Sequence, residues 1–316
     1  MRSRTWRLAS FLTLALALAL ALVIGGSLIQ AQEKPYIVCS DIPWDPFEMV
    51  TTELTGQEQY FGFDMDIMRM IAILNGYEIT IEVMAFDAII PAVQAGKCDI
   101  GASGFTITAE REEVVDFSTP YYLSNQAVVI RIDSGLNIVT ALSGMGPTGK
   151  VGAQRGTTGA AWVEENLIAK GVPVELVLYE TYPLAILDLV HGRIDAVIQD
   201  EPASKASVAA YPEDLTIAGI IMTYEFFGFL VAEGDPKGLL PLINEGKEEL
   251  GLRVIGKWPA AELVIVPGSP WDNLVKAYFG PPSDVIEAAY LACKDKLLVE
   301  EDIAGYASCM AAETAE

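Results

Sequence analysis

Phe86-Asp-Ala-Ile-Ile-Pro-Ala-Val-Gln-Ala-Gly-Lys-Cys-Asp-Ile-Gly-Ala102 and Tyr182-Pro-Leu-Ala-Ile-Leu-Asp-Leu-Val-His-Gly-Arg-Ile-Asp-Ala-Val-Ile198 follow one pattern. Each runs an apolar helix into a glycine, then a basic residue, an aspartate and an apolar strand. Lys97-Cys98-Asp99 falls where Arg193-Ile194-Asp195 falls. As a sequence repeat the match is weak. Physically it describes two lobes built alike and facing each other across a cleft.

The flanking segments extend the alternation. Tyr36–Cys39 is a short apolar run ended by Ser40-Asp41. Gly62–Asn75 has helical spacing, with Ile67, Met70, Ile71 and Leu74 on one face and a stop at Gly76. Glu78–Met84 alternates as a strand. Asp87 is placed to cap a helix through Gln94, with Pro91 in its first turn. Asp99–Ser103, Lys150–Ala153, Val174–Tyr179 and Ile194–Ile198 read as further strands. Helices are expected after Gly156-Thr157-Thr158-Gly159, ending at Ala169, and over Pro183–Val190. Such alternation argues for an α/β fold with mostly parallel sheets.

The chain has 316 residues, more than one ordinary domain of ~100–200 residues. Half of it is apolar, which excludes a disordered chain. Forty-three acids face 20 lysines and arginines. Nucleic acid and anionic membrane surfaces need a basic face, so neither is an expected partner. A single histidine, His191, and four cysteines without a CxxC spacing exclude a His-rich metal site and a Cys-only zinc ribbon. No metal or cofactor is expected.

Arg2, Arg4 and Arg7 precede an apolar run from Leu8 to Ile24, with small residues and a cut site after Ala31. Residues 1–31 therefore read as a signal peptide, and the protein as periplasmic or extracellular. An uncleaved membrane anchor is the alternative. Export permits disulfides. Cys293 and Cys309, in two short C-terminal helices, are expected to bond to each other. Cys39 and Cys98 read as buried free thiols.

In open α/β sheets, ligands sit beyond the carboxyl ends of the strands. Those ends carry Asp41, Trp44 and Phe47, then Phe86, then Ser103-Gly104-Phe105-Thr106 with Arg111 a turn later. The second half adds Gly156-Thr157-Thr158 and Asp200. Aromatics, hydroxyls, backbone donors, one arginine and two aspartates suit a small zwitterion. Arginine grips a carboxylate with two parallel bonds, and an aspartate receives an ammonium. Each residue also has a plainer reading. Arg111 can pair with glutamates in Ala-Glu-Arg-Glu-Glu, Asp200 can cap a turn before Pro202, and Trp44 can be core. Phe47 reads as core, and His191 as an exposed helix end. Gly156-Thr-Thr-Gly lacks the Lys-Ser/Thr of a phosphate loop.

Seven stretches, in this order and at these spacings, resemble the family 3 extracellular solute-binding proteins, the polar amino-acid receptors of ABC importers. They are Asp41-Ile-Pro-Trp-Asp-Pro-Phe-Glu48, Gly62-Phe-Asp-Met-Asp66, Phe86 to Asp99, Gly104-Phe-Thr-Ile-Thr-Ala-Glu-Arg111, Val115-Asp-Phe-Ser-Thr-Pro-Tyr-Tyr122, Val151-Gly-Ala-Gln-Arg-Gly-Thr-Thr158 and Gly192-Arg-Ile-Asp-Ala-Val-Ile-Gln-Asp200. The resemblance covers about residues 34–260. It implies ligand-binding roles for Asp41, Trp44, Phe86, Gly104, Thr106, Arg111, Thr158 and Asp200. Arg111 would clamp the α-carboxylate, helped by the Thr106 hydroxyl and the Thr158 backbone. Asp200, with the Gly104 carbonyl, would receive the α-ammonium. Trp44 and Phe86 would be the aromatic walls and Asp41 the side-chain reader. The roles of Gln154 and Gln199 stay open.

The fold so implied is a two-lobed periplasmic-binding-protein type II fold with a hinge of two crossing segments and a C-terminal helical extension. Lobe 1 is expected over residues 34–127 plus 220–262, and lobe 2 over 128–219. The hinge is expected near Gln126–Val129 and Ile217–Thr223. Residues 263–316 depart from the family pattern, and can cover lobe 1, mediate dimerisation or dock a partner. The expected function is capture of a polar neutral or basic L-amino acid by lobe closure, for an ABC permease in the membrane, without catalysis. Two alternatives remain. One is an enzyme on the same scaffold, cyclohexadienyl dehydratase-like, with Asp41, Glu48 or Glu201 as acid or base. The other is a ligand-sensing ectodomain.

Overall fold

In the computed structural model, which describes residues 34–315, the chain first lays down most of a five-stranded sheet. The leader expected over residues 1–31 lies outside the described residues. β1 (Tyr36–Ser40) is followed by a small hairpin of β2 (Met49–Val50) and β3 (Tyr60–Phe61), and by helix α1 (Phe63–Asn75). Next come β4 (Ile79–Val83), helix α2 (Phe86–Gln94), β5 (Ile100–Gly101), the single turn α3 (Ala109–Glu112) and β6 (Val115–Phe117). β1 runs parallel to β4 and to β5, so α1 and α2 are the crossovers that parallel pairing requires.

Glycines set both ends of α1. Gly62, at φ 121°, sits where a Cβ would collide with the Phe47 carbonyl. Gly76 ends the helix in the left-handed conformation, its N–H returning to the Ala72 and Ile73 carbonyls. The spacing of α1 predicts one apolar face. The structure instead buries every residue from Phe63 to Ala72. A helix buried all round needs cover on both sides, and the C-terminal extension supplies the second. α2 also departs from expectation. It begins at Phe86, so Asp87 lies in its first turn instead of capping it, and Pro91 falls inside the helix.

β7 (Tyr122–Arg131) opens a second sheet. α4 (Ile138–Leu142), β8 (Lys150–Gln154), α5 (Thr158–Asn166), β9 (Glu175–Tyr179), α6 (Tyr182–Val190), β10 (Ala196–Asp200), α7 (Glu201–Ala210) and β11 (Leu215–Phe227) follow. The strand order is β11-β7-β10-β8-β9. β8 is parallel to β9 and β10, whereas β7 is antiparallel to β10 and β11. Val128, Ile130, Val151, Val163, Ala196 and Ile198 form this lobe's own core. β7 and β11 pair from Arg131 with Leu215 to Tyr122 with Phe227. Their register slips between Ile217 and Gly219 and between Ile221 and Glu225. The two segments expected as hinge lie side by side in this ribbon.

β12 (Leu230–Ala232) returns to the first sheet, antiparallel between β5 and β6, giving the order β4-β1-β5-β12-β6. α8 (Leu239–Leu250) packs on α1, and β13 (Leu252–Ile255) pairs with β14 (Glu262–Ile265). Three helices then end the chain: α9 (Pro270–Tyr278), α10 (Ser283–Leu298) and α11 (Ile303–Glu313). They bury Trp271, Tyr278, Tyr290 and Tyr306, each at most 1% exposed. Tyr290 stacks on Phe61 at 4.4 Å and donates to the Glu58 carbonyl at 2.7 Å. The hydroxyls of Tyr278 and Tyr306 both donate to Asp66 Oδ2, while Arg69 holds Oδ1 at 3.2 Å. A buried carboxylate is tolerable when paired and hydrogen-bonded in this way. The extension therefore covers the outer side of α1.

Cys293 and Cys309 are bonded, joining α10 to α11 as expected. Cys39 and Cys98 are not free thiols. They form a second disulfide, with Cα atoms 5.8 Å apart. Cys39 lies on β1, and Cys98 enters β5, the strand paired with β1. That adjacency, invisible from spacing alone, brings the two into bonding range.

Candidate functional site

A narrow cavity lies between the two sheets. All eight residues singled out by sequence line it. Asp41, Trp44, Gly104 and Thr106 come from loops beyond β1 and β5, Phe86 and Arg111 from helices α2 and α3, Thr158 from the first residue of α5 after β8, and Asp200 from the end of β10. The strand-end rule is thus obeyed in both sheets.

Arg111 follows from a cap. The Thr108 hydroxyl accepts the Arg111 N–H at 3.2 Å and starts α3. The guanidinium lies 5.5 Å from the Phe86 ring centroid and 5.4 Å from that of Phe105, and those two rings stack at 4.5 Å. One of its nitrogens donates to the Thr106 carbonyl at 2.8 Å. Another reaches across to the Gly156 carbonyl at 3.0 Å. Burial lowers its pKa to about 10, against the pull of Glu225 and Asp200, so it stays charged at neutral pH.

Asp200 closes β10 and is 6% exposed. Its Oδ1 has no hydrogen-bond partner. Burial, and then the charge of Glu225, hold its pKa well above the ordinary carboxylate value. Hydrogen bonds from Ser124 and Gln126 to this carboxyl oppose the shift, and a cationic group in the cavity would stabilise its charged form further. Asp41 is equally enclosed. Its Oδ2 accepts from Gln154 Nε2 at 2.5 Å, and its backbone N–H donates to Ser103 Oγ at 3.1 Å. Burial raises its pKa to about 6, although the Gln154 bond opposes the shift.

Gly104 takes φ 55° beneath Trp44, and a Cβ there would run into the indole. Its N–H donates to Asp64 Oδ2 at 3.1 Å, an oxygen that also accepts from Tyr121 at 2.7 Å. Glu48, fully buried, sits against Asp64. Burial lifts Asp64 to about 6 and, with the neighbouring Asp64 charge, Glu48 well above its ordinary range. Two neighbouring carboxyls in an apolar setting oppose each other's ionisation.

Trp44 stacks on Phe47 at 5.0 Å, and Phe47 is fully buried, as core. Across the cavity Trp44 faces Tyr182 at 6.4 Å and 24°. Tyr182, Ser103, Gln154 and Thr157 also line the space, beyond the eight expected residues. Tyr182 was legible in principle, because it follows β9 just as Phe86 follows β4. Glu225 touches the site from outside and carried no strand-end signal. Among the described residues no three His, Cys, Asp or Glu side chains are grouped to hold a metal ion, and no helix is long and apolar enough to cross a membrane.

The sequence model of the bacterial extracellular solute-binding proteins, family 3, matches residues 36–251. The chain belongs to this family. Among curated family relatives, the L-arginine-binding protein of Pseudomonas aeruginosa is 34% identical over 188 residues, 59% of this chain and 69% of its own. A probable histidine-binding protein of Campylobacter jejuni is 31% identical over 189 residues, 60% of this chain and 70% of its own. Among solved structures, an ancestral arginine-binding protein bound to arginine superposes with a TM-score of 0.65 at 30% identity. It covers 79% of this chain and all of its own. The two-lobed fold expected from sequence is thus the fold of the family. Helices α9 to α11 lie beyond the matched residues.

Proposed function

We propose that the protein captures a basic or polar neutral L-amino acid by closing its two lobes, as the solute-binding component of an ABC importer. One observation carries the reading. Arg111 from the first lobe and Asp200 from the second line one small cavity, and an Asp200 oxygen there lacks a donor. A zwitterion supplies the carboxylate for Arg111 and the ammonium for Asp200. Neither lobe alone offers both, so bound ligand favours the closed state through contacts available only there. We place lobe 1 at residues 34–127 plus 220–262 and lobe 2 at 128–219, with the β7–β11 ribbon as hinge.

Charge within the cavity points to the basic members of the class. Once a zwitterion pairs with Arg111 and Asp200, Asp41 remains without a cation. A guanidinium, imidazolium or ammonium side chain between Trp44 and Tyr182 would pair with it. The arginine- and histidine-binding relatives agree with this choice. Periplasmic relatives and the N-terminal leader motif support a site of action outside the cytoplasm, with the ligand handed to a membrane permease.

Of the carboxylates considered for an enzyme, Asp41 lines the cavity, Glu48 is fully buried outside its lining and Glu201 lines a separate cleft. A thermal-shift panel of the twenty amino acids tests the reading. A ligand at 100 times its Kd adds about 2.7 kcal/mol of stability. Arg111→Ala should abolish the shift while leaving the melting of the ligand-free protein intact. A preserved shift would show the carboxylate assignment to be wrong.

A further inference from the structure

Glu225 stands on β11 where pairing with β7 slips between Ile221 and Glu225. Its neighbour Tyr224 takes φ 53°, an uncommon conformation for a bulky side chain, and its N–H is held by Asn125 Oδ1 at 3.1 Å. The distorted backbone aims Glu225 inward, and the residue is 8% exposed. One oxygen, Oε2, accepts the hydroxyl of Thr106 at 2.8 Å and the hydroxyl of Thr158 at 2.5 Å. The other, Oε1, accepts from Gln126 Nε2 at 3.1 Å. Thr106 belongs to the first lobe, Thr158 to the second, and Gln126 and Glu225 to the hinge ribbon.

We propose that Glu225 is a positioning residue for closure, a hinge carboxylate that ties the two lobes together through Thr106 and Thr158 before any ligand arrives. The inference rests on reading the cavity as the ligand site, but the tie itself involves no ligand. Glu225 lines the outer groove, not the cavity. That groove adjoins the cavity at Thr106, Arg111 and Thr158. Each threonine hydroxyl has one proton, and both are spent on Oε2. An arriving carboxylate thus finds its donors in Arg111 and the backbone N–H groups opening α5, not in the hydroxyls. The tie acts by raising the fraction of protein already closed, and apparent affinity scales with that fraction.

The test reads ligand-free protein. Spin labels are placed at exposed Lys97 and Glu164, one per lobe, as genetically encoded residues that leave the disulfides alone. Inter-lobe distances are then measured in the native protein and in two variants. Glu225→Ala should cut the closed population roughly threefold or more, since it deletes the bonds to both threonine hydroxyls. Glu225→Gln should retain most of it. Its amide oxygen can face the threonines, and once the Gln126 amide flips, its NH2 can donate to Gln126 Oε1, an atom without a partner in the native protein. An unchanged distance distribution in Glu225→Ala would overturn the proposal. If that variant does not fold, Thr158→Val removes the tie from its other end and keeps the backbone N–H. The same opening is expected, and its absence is equally fatal. Saturating L-arginine should then close all variants alike. Failure of arginine to close even the native protein would count against the basic-ligand reading and leave the ligand-free result standing.

Discussion

The carboxylate of Asp41 and the side-chain amide of Gln154 meet at 2.5 Å across the cleft, one from each lobe. The same amide donates to the Glu180 carbonyl at 2.7 Å. A neutral donor thus occupies an acid that a cation would hold more strongly. Asp41→Asn should lower the affinity for arginine by roughly 10- to 100-fold, the scale of one charge-assisted bond. Glutamine binding should change by less than about threefold. Isothermal titration of both ligands checks this, and equal losses would remove Asp41 as the reader of side-chain charge.

Buried carboxyls give the ligand-free protein an inverted pH response. Asp41 and Asp64 have folded pKa values raised from 3.8 to about 6. The folded state therefore binds more protons than the unfolded chain between about pH 4 and 6. Their contribution is fully present below the unfolded value and is lost as pH rises through the folded one. Ligand-free protein should melt higher at pH 5 than at pH 7.5. A bound basic amino acid should flatten or reverse that slope, because its cation keeps Asp41 ionised. A ligand-free melting temperature that falls on acidification to pH 5 would contradict the assignment.

The two disulfides close loops of different length. Cys39 and Cys98 are separated by 59 positions, Cys293 and Cys309 by 16. On the chain-entropy scale, losing the first should cost about 4 kcal/mol and losing the second about 3 kcal/mol. Paired alanine variants in denaturant titrations give the order. A larger loss from the C-terminal pair would mean that native packing, not loop closure, sets their worth.

Ending the chain at Gly268 should leave a protein that does not fold cooperatively, although the family match stops at residue 251. Trp271, Tyr278, Tyr290 and Tyr306 would be lost from the cover of α1. At ~2–3 kcal/mol for each large side chain, the loss is on the order of 10 kcal/mol, comparable to the whole stability of a domain. Tyr306→Phe, which removes one donor to Asp66, should cost only about 1 kcal/mol. Circular dichroism melts of both variants decide. A cooperative melt after truncation would make the helices an ornament.

Most of the cavity was legible because strand-end chemistry is local. Asp41, Gly104 and Asp200 stand within a few positions of the strands that aim them, and the two lobes repeat one helix–glycine–strand device. What stayed hidden depends on pairing between distant segments. The Cys39–Cys98 bond follows from β1 lying beside β5. The burial of α1 on both sides follows from tyrosines more than 200 positions away meeting Asp66. Glu225 owes its place to a register slip between β7 and β11, which no periodicity announces.

The C-terminal helices are fastened to the first lobe through Asp66 and the stacked pair Phe61 and Tyr290. The second sheet is tethered covalently only by β7 and β11. Mass and tail therefore sit on one half, and the other is the lighter arm of any swing. A fluorophore fused after residue 316 would ride the heavier body. One attached at exposed His191, on the lighter arm, would travel with the motion and report each capture event.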